Sequence, residues 1–210
     1  MKLEEIRQNI LASDEFVLSE IERIRYLYRL KTEIRYAQER HHDADTESVA
    51  EHIYGMHILA HYFLPLEDPE ETMDRRTIFQ LITWHDMDEI ETGDTVSHWK
   101  TEQHKADATE AIPVVLARMP KVLSTQVTSL IEEYEQQETA EAKFTKAIDK
   151  AEPLFEVKGE KYKRIMHANK NRLQDHWETK QTYVENYPII MRFVEVATDQ
   201  LLRGGYFYEE

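Results

Sequence analysis

Apolar residues recur at helical spacing along most of the chain. Between residues 4 and 28 they fall at Ile6, Ile10 and Leu11, then at Phe16, Val17, Ile21, Ile24 and Leu27, which predicts two helices with Ser13 as the cap between them. Residues 31–45 are polar, hold the adjacent His41 and His42, and show no period, so an irregular connection is expected there. Ser48-Val49-Ala50-Glu51 has the spacing of a capping box, and an apolar row at Val49, Ile53, Met56, Ala60 and Phe63 predicts the helix behind it. His52 lies beside that row, in line with Met56 and Leu59. Pro65 and Pro69 predict a loop. A helix is then expected over 75–90, with Ile78, Leu81, Ile82, His85 and Glu89 on one face, so that its stripe passes from aliphatic to ionisable. Residues 91–95 read as a turn in which Gly93 supplies the flexible backbone position. Further helices are expected at about 102–118, 121–137, 140–155, 160–174 and 183–202, with Pro113 kinking the first of these or moving its start.

The composition agrees with this all-α reading. Only 5 Gly and 6 Pro occur in 210 residues, too few for many short strands with special turns, and the 41% hydrophobic and 32% charged fractions are those of a globular chain. No repeat or Gly/Ser linker interrupts the pattern, so one domain over 1–210 is expected. The formal charge of -15 argues against a duplex nucleic-acid partner, whose phosphates need Lys and Arg to neutralise them. A small anionic ligand would require a local cationic pocket or a metal ion. There is no Cys, which removes disulfides, thiolate nucleophiles and cysteine-ligated zinc, and is consistent with a cytoplasmic location. Met1–Arg7 holds Glu4 and Glu5 where a secretory signal would be basic and then apolar, and no apolar run is long enough to span a bilayer, so no membrane partner is expected.

The sharpest chemical feature is His85-Asp86, followed by Glu89 one turn later. Mixed imidazole and carboxylate donors suit divalent ions such as Mn, Fe, Co, Ni or Zn. A His-Asp pair alone is weak evidence, since a His on an apolar helix face is more often a hydrogen-bonded core residue. Glu51-His52 on the preceding helix and Asp149 in Ala147-Ile148-Asp149-Lys150 shift the balance.

With these blocks in order, the chain resembles the HD-domain superfamily of metal-dependent phosphohydrolases, whose pattern is a His, a His-Asp doublet and a distant Asp. More narrowly, the segments 47–52, 85–95 and 140–150 look like the YfbR-like 5′-deoxynucleotidase branch, and the resemblance covers about 30–153. It implies a multi-helix HD-domain fold with a metal-site core at about 30–155 and flanking helices at both ends. His52, His85, Asp86 and Asp149 would hold one divalent ion (Mn, Co, Fe, Ni, Zn or Mg), with Glu89 as the acid/base residue and Asp94 placing the sugar of a nucleotide. The implied activity is phosphomonoester hydrolysis of a nucleoside 5′-monophosphate, and the implied assembly is a homodimer.

One position departs from the family. Where relatives often carry a Trp fourteen residues before the first metal His, this chain has Gln38. Tyr36 could substitute for it if the loop is shifted, while Arg35 and Arg40 are candidates for pairing with phosphate through a planar fork. His57 and His61 have a metal-compatible spacing but no third ligand nearby. His41, His42, His98 and His104 could line a pocket mouth, and Lys105 and Lys143 could approach phosphate, though a plain surface role is the more common one for each of the histidines and surface ion pairing for the lysines. Two other functions remain open on the sequence: a metal- and nucleotide-binding sensor without turnover, and a helical interaction protein whose His and Asp residues are structural.

Overall fold

Helices make up almost all regular backbone in this computed structural model, which describes residues 3–36 and 46–209. In chain order they are α1 (Leu3–Ala12), α2 (Asp14–Leu27), α3 (Val49–Glu67), α4 (Arg75–Trp84), α5 (Glu89–Thr92), α6 (Glu102–Arg118) and α7 (Lys121–Gln136). Then follow α8 (Ala140–Ala151), α9 (Pro153–Glu156), α10 (Gly159–Ala168), α11 (Leu173–Glu178), α12 (Gln181–Val184) and α13 (Pro188–Arg203). Among the described residues the only β pairing named is an isolated antiparallel bridge between Ile34 and Ser48. All-α architecture is therefore as the sequence implied.

Local signals explain the best-defined helix starts. Ser13 caps α2 by accepting from the Phe16 N–H. Ser48 and Glu51 form the reciprocal capping box of α3. Thr139 accepts from the Ala142 N–H at the start of α8. That last helix is the hub: it packs on α3, α4, α7, α12 and α13. Its small buried residues Ala142, Ala147 and Ala151 let neighbours approach, while Phe144 and Ile148 fill the space between them. The largest apolar cluster joins Phe63, Ile78, Ile82 and Phe144 to Ile190 and Val194 of α13. A second cluster, built on Val49, Met87, Ile90, Val115 and Met119, ties α3 and the end of α4 to α6.

Several predicted boundaries are corrected. The helix expected over 75–90 ends at Trp84, because beyond His85 the backbone tightens: the Glu89 N–H turns to the Asp86 carbonyl at 3.2 Å and the Glu91 N–H to the Asp88 carbonyl at 2.9 Å. His85 and Glu89 thus do not share one continuous helix face. Pro65 does not end α3, which runs on to Glu67, since a proline in the last turn removes few backbone bonds. The helix expected over 102–118 keeps those bounds as α6, with Pro113 inside it and not at its start. Pro153 opens α9 and Pro188 opens α13, dividing the helices expected over 140–155 and 183–202, while Lys170 at φ 53° divides the one expected over 160–174.

Candidate metal centre

The three sequence blocks converge. His52 comes from the first turn of α3, His85 and Asp86 from the turn after α4, and Asp149 from the last turn of α8. His52 is fully buried, His85 and Asp149 are buried, and Asp86 keeps a partly exposed edge. His85 Nε2 lies 2.9 Å from Asp86 Oδ2, and His52 Nε2 lies 3.9 Å from the same oxygen and 3.5 Å from Asp149 Oδ1. Ligand atoms of His52, His85 and Asp86 all fall within 4.8 Å of one another.

The far side of each ring fixes what the near side can do. His85 Nδ1 is 2.9 Å from the Ile82 carbonyl, which can only accept, so that nitrogen carries the hydrogen. His52 Nδ1 donates in the same way to the Glu152 carboxylate at 2.6 Å. Both Nε2 atoms are then left as lone pairs aimed at carboxylate oxygens, and neither makes a hydrogen bond despite full burial. Lone pairs facing carboxylates across 3–4 Å repel unless a proton or a metal cation lies between them. The donor set therefore fits a divalent ion.

The electrostatics point the same way. Burial and Arg35 lower the basicity of His52, yet the Asp149 and Glu152 carboxylates win and push it up to about 9, the mark of a position that demands positive charge. Burial favours the neutral acid at Asp86, but His85 and His52 hold it well below the usual carboxylate range. Burial is likewise outweighed at Asp149 by Lys150 and Lys146, whose amines stand 3.1 and 3.4 Å from Oδ2. Tyr134 donates to that same oxygen at 3.1 Å, so Asp149 is clamped on one side and presents Oδ1 to His52 on the other.

Glu89 is buried, with Oε2 making no hydrogen bond. Burial, then Asp86 and Asp94, raises its carboxyl well above the ordinary range against the opposing pull of Lys100, which stabilises the protonated acid.

Beside the centre lies a cavity lined by Arg35, Tyr36, Asp94, Tyr162, His176 and Lys180, among others. Arg35 is no solvated surface residue: its Nη1 bonds Glu47 at 2.5 Å and Glu152 at 3.3 Å, the latter being the carboxylate that holds His52. Asp94 Oδ2 accepts from the Tyr36 N–H at 2.8 Å, which holds Tyr36 in a left-handed backbone conformation at φ 66°. Arg35 and Tyr36 are also tied to the start of α3, because the Arg35 N–H donates to the Glu47 carbonyl and the Val49 N–H to that of Glu33. Arg40, His41, His42 and Gln38 lie outside the described residues.

The remaining candidates settle elsewhere. His57 and His61 pack on Phe79, and His57 meets the Thr83 hydroxyl. His104 completes the N-terminal cap of α6, and His98, on the cavity wall, bonds the Asn169 carbonyl. Lys105 pairs with Glu102 on the surface, Lys143 is exposed, and Glu91 gathers Arg29, Arg118 and Tyr26. Sequence reasoning missed Glu152, Tyr134 and Lys180. Glu152 had a signal, standing one helical turn after Asp149, but no pattern marked the other two.

Comparison with known proteins agrees with this geometry. The family model for the HD domain matches residues 27–191. The 5′-deoxynucleotidase hdd1 of Schizosaccharomyces pombe is 32% identical over 160 residues, covering 73% of this chain and 77% of that protein. The 5′-deoxynucleotidase HDDC2 of Homo sapiens is 32% identical over 151 residues, 70% and 69% of the two chains. A crystal structure of a predicted metal-dependent phosphohydrolase from Magnetospirillum magnetotacticum MS-1 superposes with a TM-score of 0.76 at 21% identity, covering 92% of this chain and 96% of that one, a likeness of fold.

Proposed function

The chain belongs to the HD-domain family, and on that premise we propose that it is a metal-dependent phosphomonoesterase that hydrolyses nucleoside 5′-monophosphates, deoxyribonucleotides among them. The observation that supports this reading is the pair of buried, unbonded Nε2 atoms of His52 and His85 grouped with the Asp86 carboxylate, with Asp149 3.5 Å from His52. The 5′-deoxynucleotidase relatives support the substrate class. The net charge of -15 keeps duplex nucleic acid out of the proposal.

In this mechanism His52, His85, Asp86 and Asp149 hold the ion. A bound divalent cation of the Mn, Co, Fe, Ni, Zn or Mg kind polarises a phosphoryl oxygen and makes a bound water more acidic. Glu89, kept protonated by burial and its acidic neighbours, delivers a proton to the leaving 5′-oxygen as the P–O ester bond breaks, and recovers one from the attacking water. Asp94 accepts from a sugar hydroxyl, and Tyr36 and Arg35 form the wall against which the nucleoside lies; Arg40 belongs to the same substrate loop. A sensor without turnover, or an interaction protein, has no need of a buried acid next to an ion.

The test is a phosphate-release screen over nucleoside monophosphates and divalent ions with purified protein. Turnover that chelation and Asp86→Ala both abolish is expected. Tight nucleotide binding with no product under any ion would transfer the protein to the sensor class.

A cytoplasmic homodimer completes the reading. Tyr54, Ile58, Tyr62 and Leu66 recur every fourth residue on the exposed side of α3 and continue into Phe193 of α13, an apolar stripe suited to a second copy. Light scattering should return a dimer mass, and Tyr62→Glu should shift it to monomer. Among the described residues no helix is long and apolar enough to cross a membrane.

A further inference from the structure

We propose that Lys180 is the phosphate-binding cation of the substrate cavity, an inference that rests on the hydrolase reading above. Lys180 stands at the start of α12, in a stretch whose sequence carries no catalytic pattern. Its Nζ crosses to α8 and donates to the Lys150 carbonyl at 2.9 Å, one residue beyond Asp149. The same side chain lines the cavity with Arg35, Tyr36 and Asp94. It therefore links the cavity wall to the part of α8 that carries Asp149, the side on which a phosphoryl group would approach the ion.

Unlike Arg35, Lys146 and Lys150, Lys180 has no carboxylate within ion-pair distance among the described residues. Arg35 is paired with Glu47 and Glu152, and Lys146 and Lys150 share Asp149. Of the carboxylates on the cavity wall, Asp94 accepts from the Tyr36 backbone and Asp175 is clamped by Arg172 at 2.7 Å, and neither pairs with Lys180. Among the described residues no carboxylate pairs with Lys180, and a single carbonyl uses one of its three N–H donors. A part-buried ammonium without a paired carboxylate is unusual in a chain with an excess of 15 negative charges. Burial, with Lys150 and Arg35 adding and Asp149 and Glu152 opposing, pushes this amine down to about 7. An incoming phosphate dianion supplies the paired anion and draws the amine to its ammonium form. A lysine suits the task because it presents a point charge to a group whose oxygens move during the reaction.

The experiment compares wild type, Lys180→Gln and Lys180→Arg. Glutamine keeps a donor for the Lys150 carbonyl and removes the charge; arginine keeps the charge. Calorimetric titration with inorganic phosphate, on metal-stripped and metal-loaded protein, should show affinity falling roughly tenfold or more in the Gln variant, the scale of one charge-assisted hydrogen bond. The Arg variant should stay within about threefold of wild type, and KM for a monophosphate should rise in the Gln variant. If Lys180→Gln binds phosphate as wild type does, or both variants lose affinity only in step with melting temperature, Lys180 is structural and the inference fails. Phosphate bound through Lys180 in a protein that turns over no ester would sink the proposed activity and leave this inference standing.

Discussion

His52 and Asp149 owe their chemistry to side chains that touch them from behind. Glu152 holds the Nδ1 hydrogen of His52 and so points the Nε2 lone pair inward. Replacing Glu152 with Gln should weaken metal binding by about 10- to 100-fold, the usual cost of losing such a partner, in a titration with a fluorescent metal competitor. Asp86 and Glu89 show how two acids close in sequence are driven apart, one below the ordinary range by flanking imidazoles and one above it by burial and like charge. Away from the centre, His176 bonds the Thr198 hydroxyl, and burial with Lys180 nearby pushes its pKa down to about 3. Its folded pKa lies below the unfolded value of 6.5, so between these two pH values the unfolded state binds more protons. The contribution of His176 to stability is thus complete above about pH 6.5 and is lost as pH falls toward 3. Thermal melts across that window should slope more gently for His176→Gln than for wild type; parallel curves would show that His176 is not the titrating group.

Among the helices, α3 and α8 carry most of the site. The capping box of Ser48 and Glu51 sets where α3 begins, and His52 stands in its first turn, so local sequence chemistry positions a candidate ligand directly. Gly55, one turn on, is where α3 passes close to Glu152: a Cβ there would meet Glu152 Oε1 at 2.6 Å. Ala at this position should raise helix propensity by about 1 kcal/mol yet displace Glu152 from His52. The expected outcome is unchanged or higher resistance to urea together with metal affinity reduced by about tenfold or more. Equal metal affinity in Gly55→Ala would mean that Glu152 moves aside freely. The α4–α5 break was hidden from the periodic pattern, because His85 and Glu89 have the spacing of one helix face and nothing in the residue types announces the tightened turn between them. Pro65 misled in the opposite sense, since a proline in the last turn of a helix removes few backbone bonds.

For the protein as a whole, the centre draws on three separate stretches of chain, so an ion bound there couples α3, the α4–α5 turn and α8. Added Mn or Co should raise the melting temperature, by an amount equivalent to about 2.7 kcal/mol at a hundredfold excess over Kd, and a chelator should reverse it. Asp149→Ala should abolish that shift. A shift that persisted in Asp149→Ala would place the ion elsewhere.

The all-α class, the starts of α2 and α3, the order of the His, His-Asp and Asp blocks and their likeness to a phosphohydrolase family were all legible in the residues alone, because helix periodicity, capping and short motifs are local properties of a chain. Tertiary structure decided what those blocks face: that Glu152, 100 positions from His52, sets its tautomer, that Glu89 is buried beside Asp86, and that Lys180 arrives without a paired carboxylate at the cavity. Such meetings depend on how helices pack across long stretches of intervening chain, and no periodicity within a helix records which distant carboxylate or amine will stand opposite it.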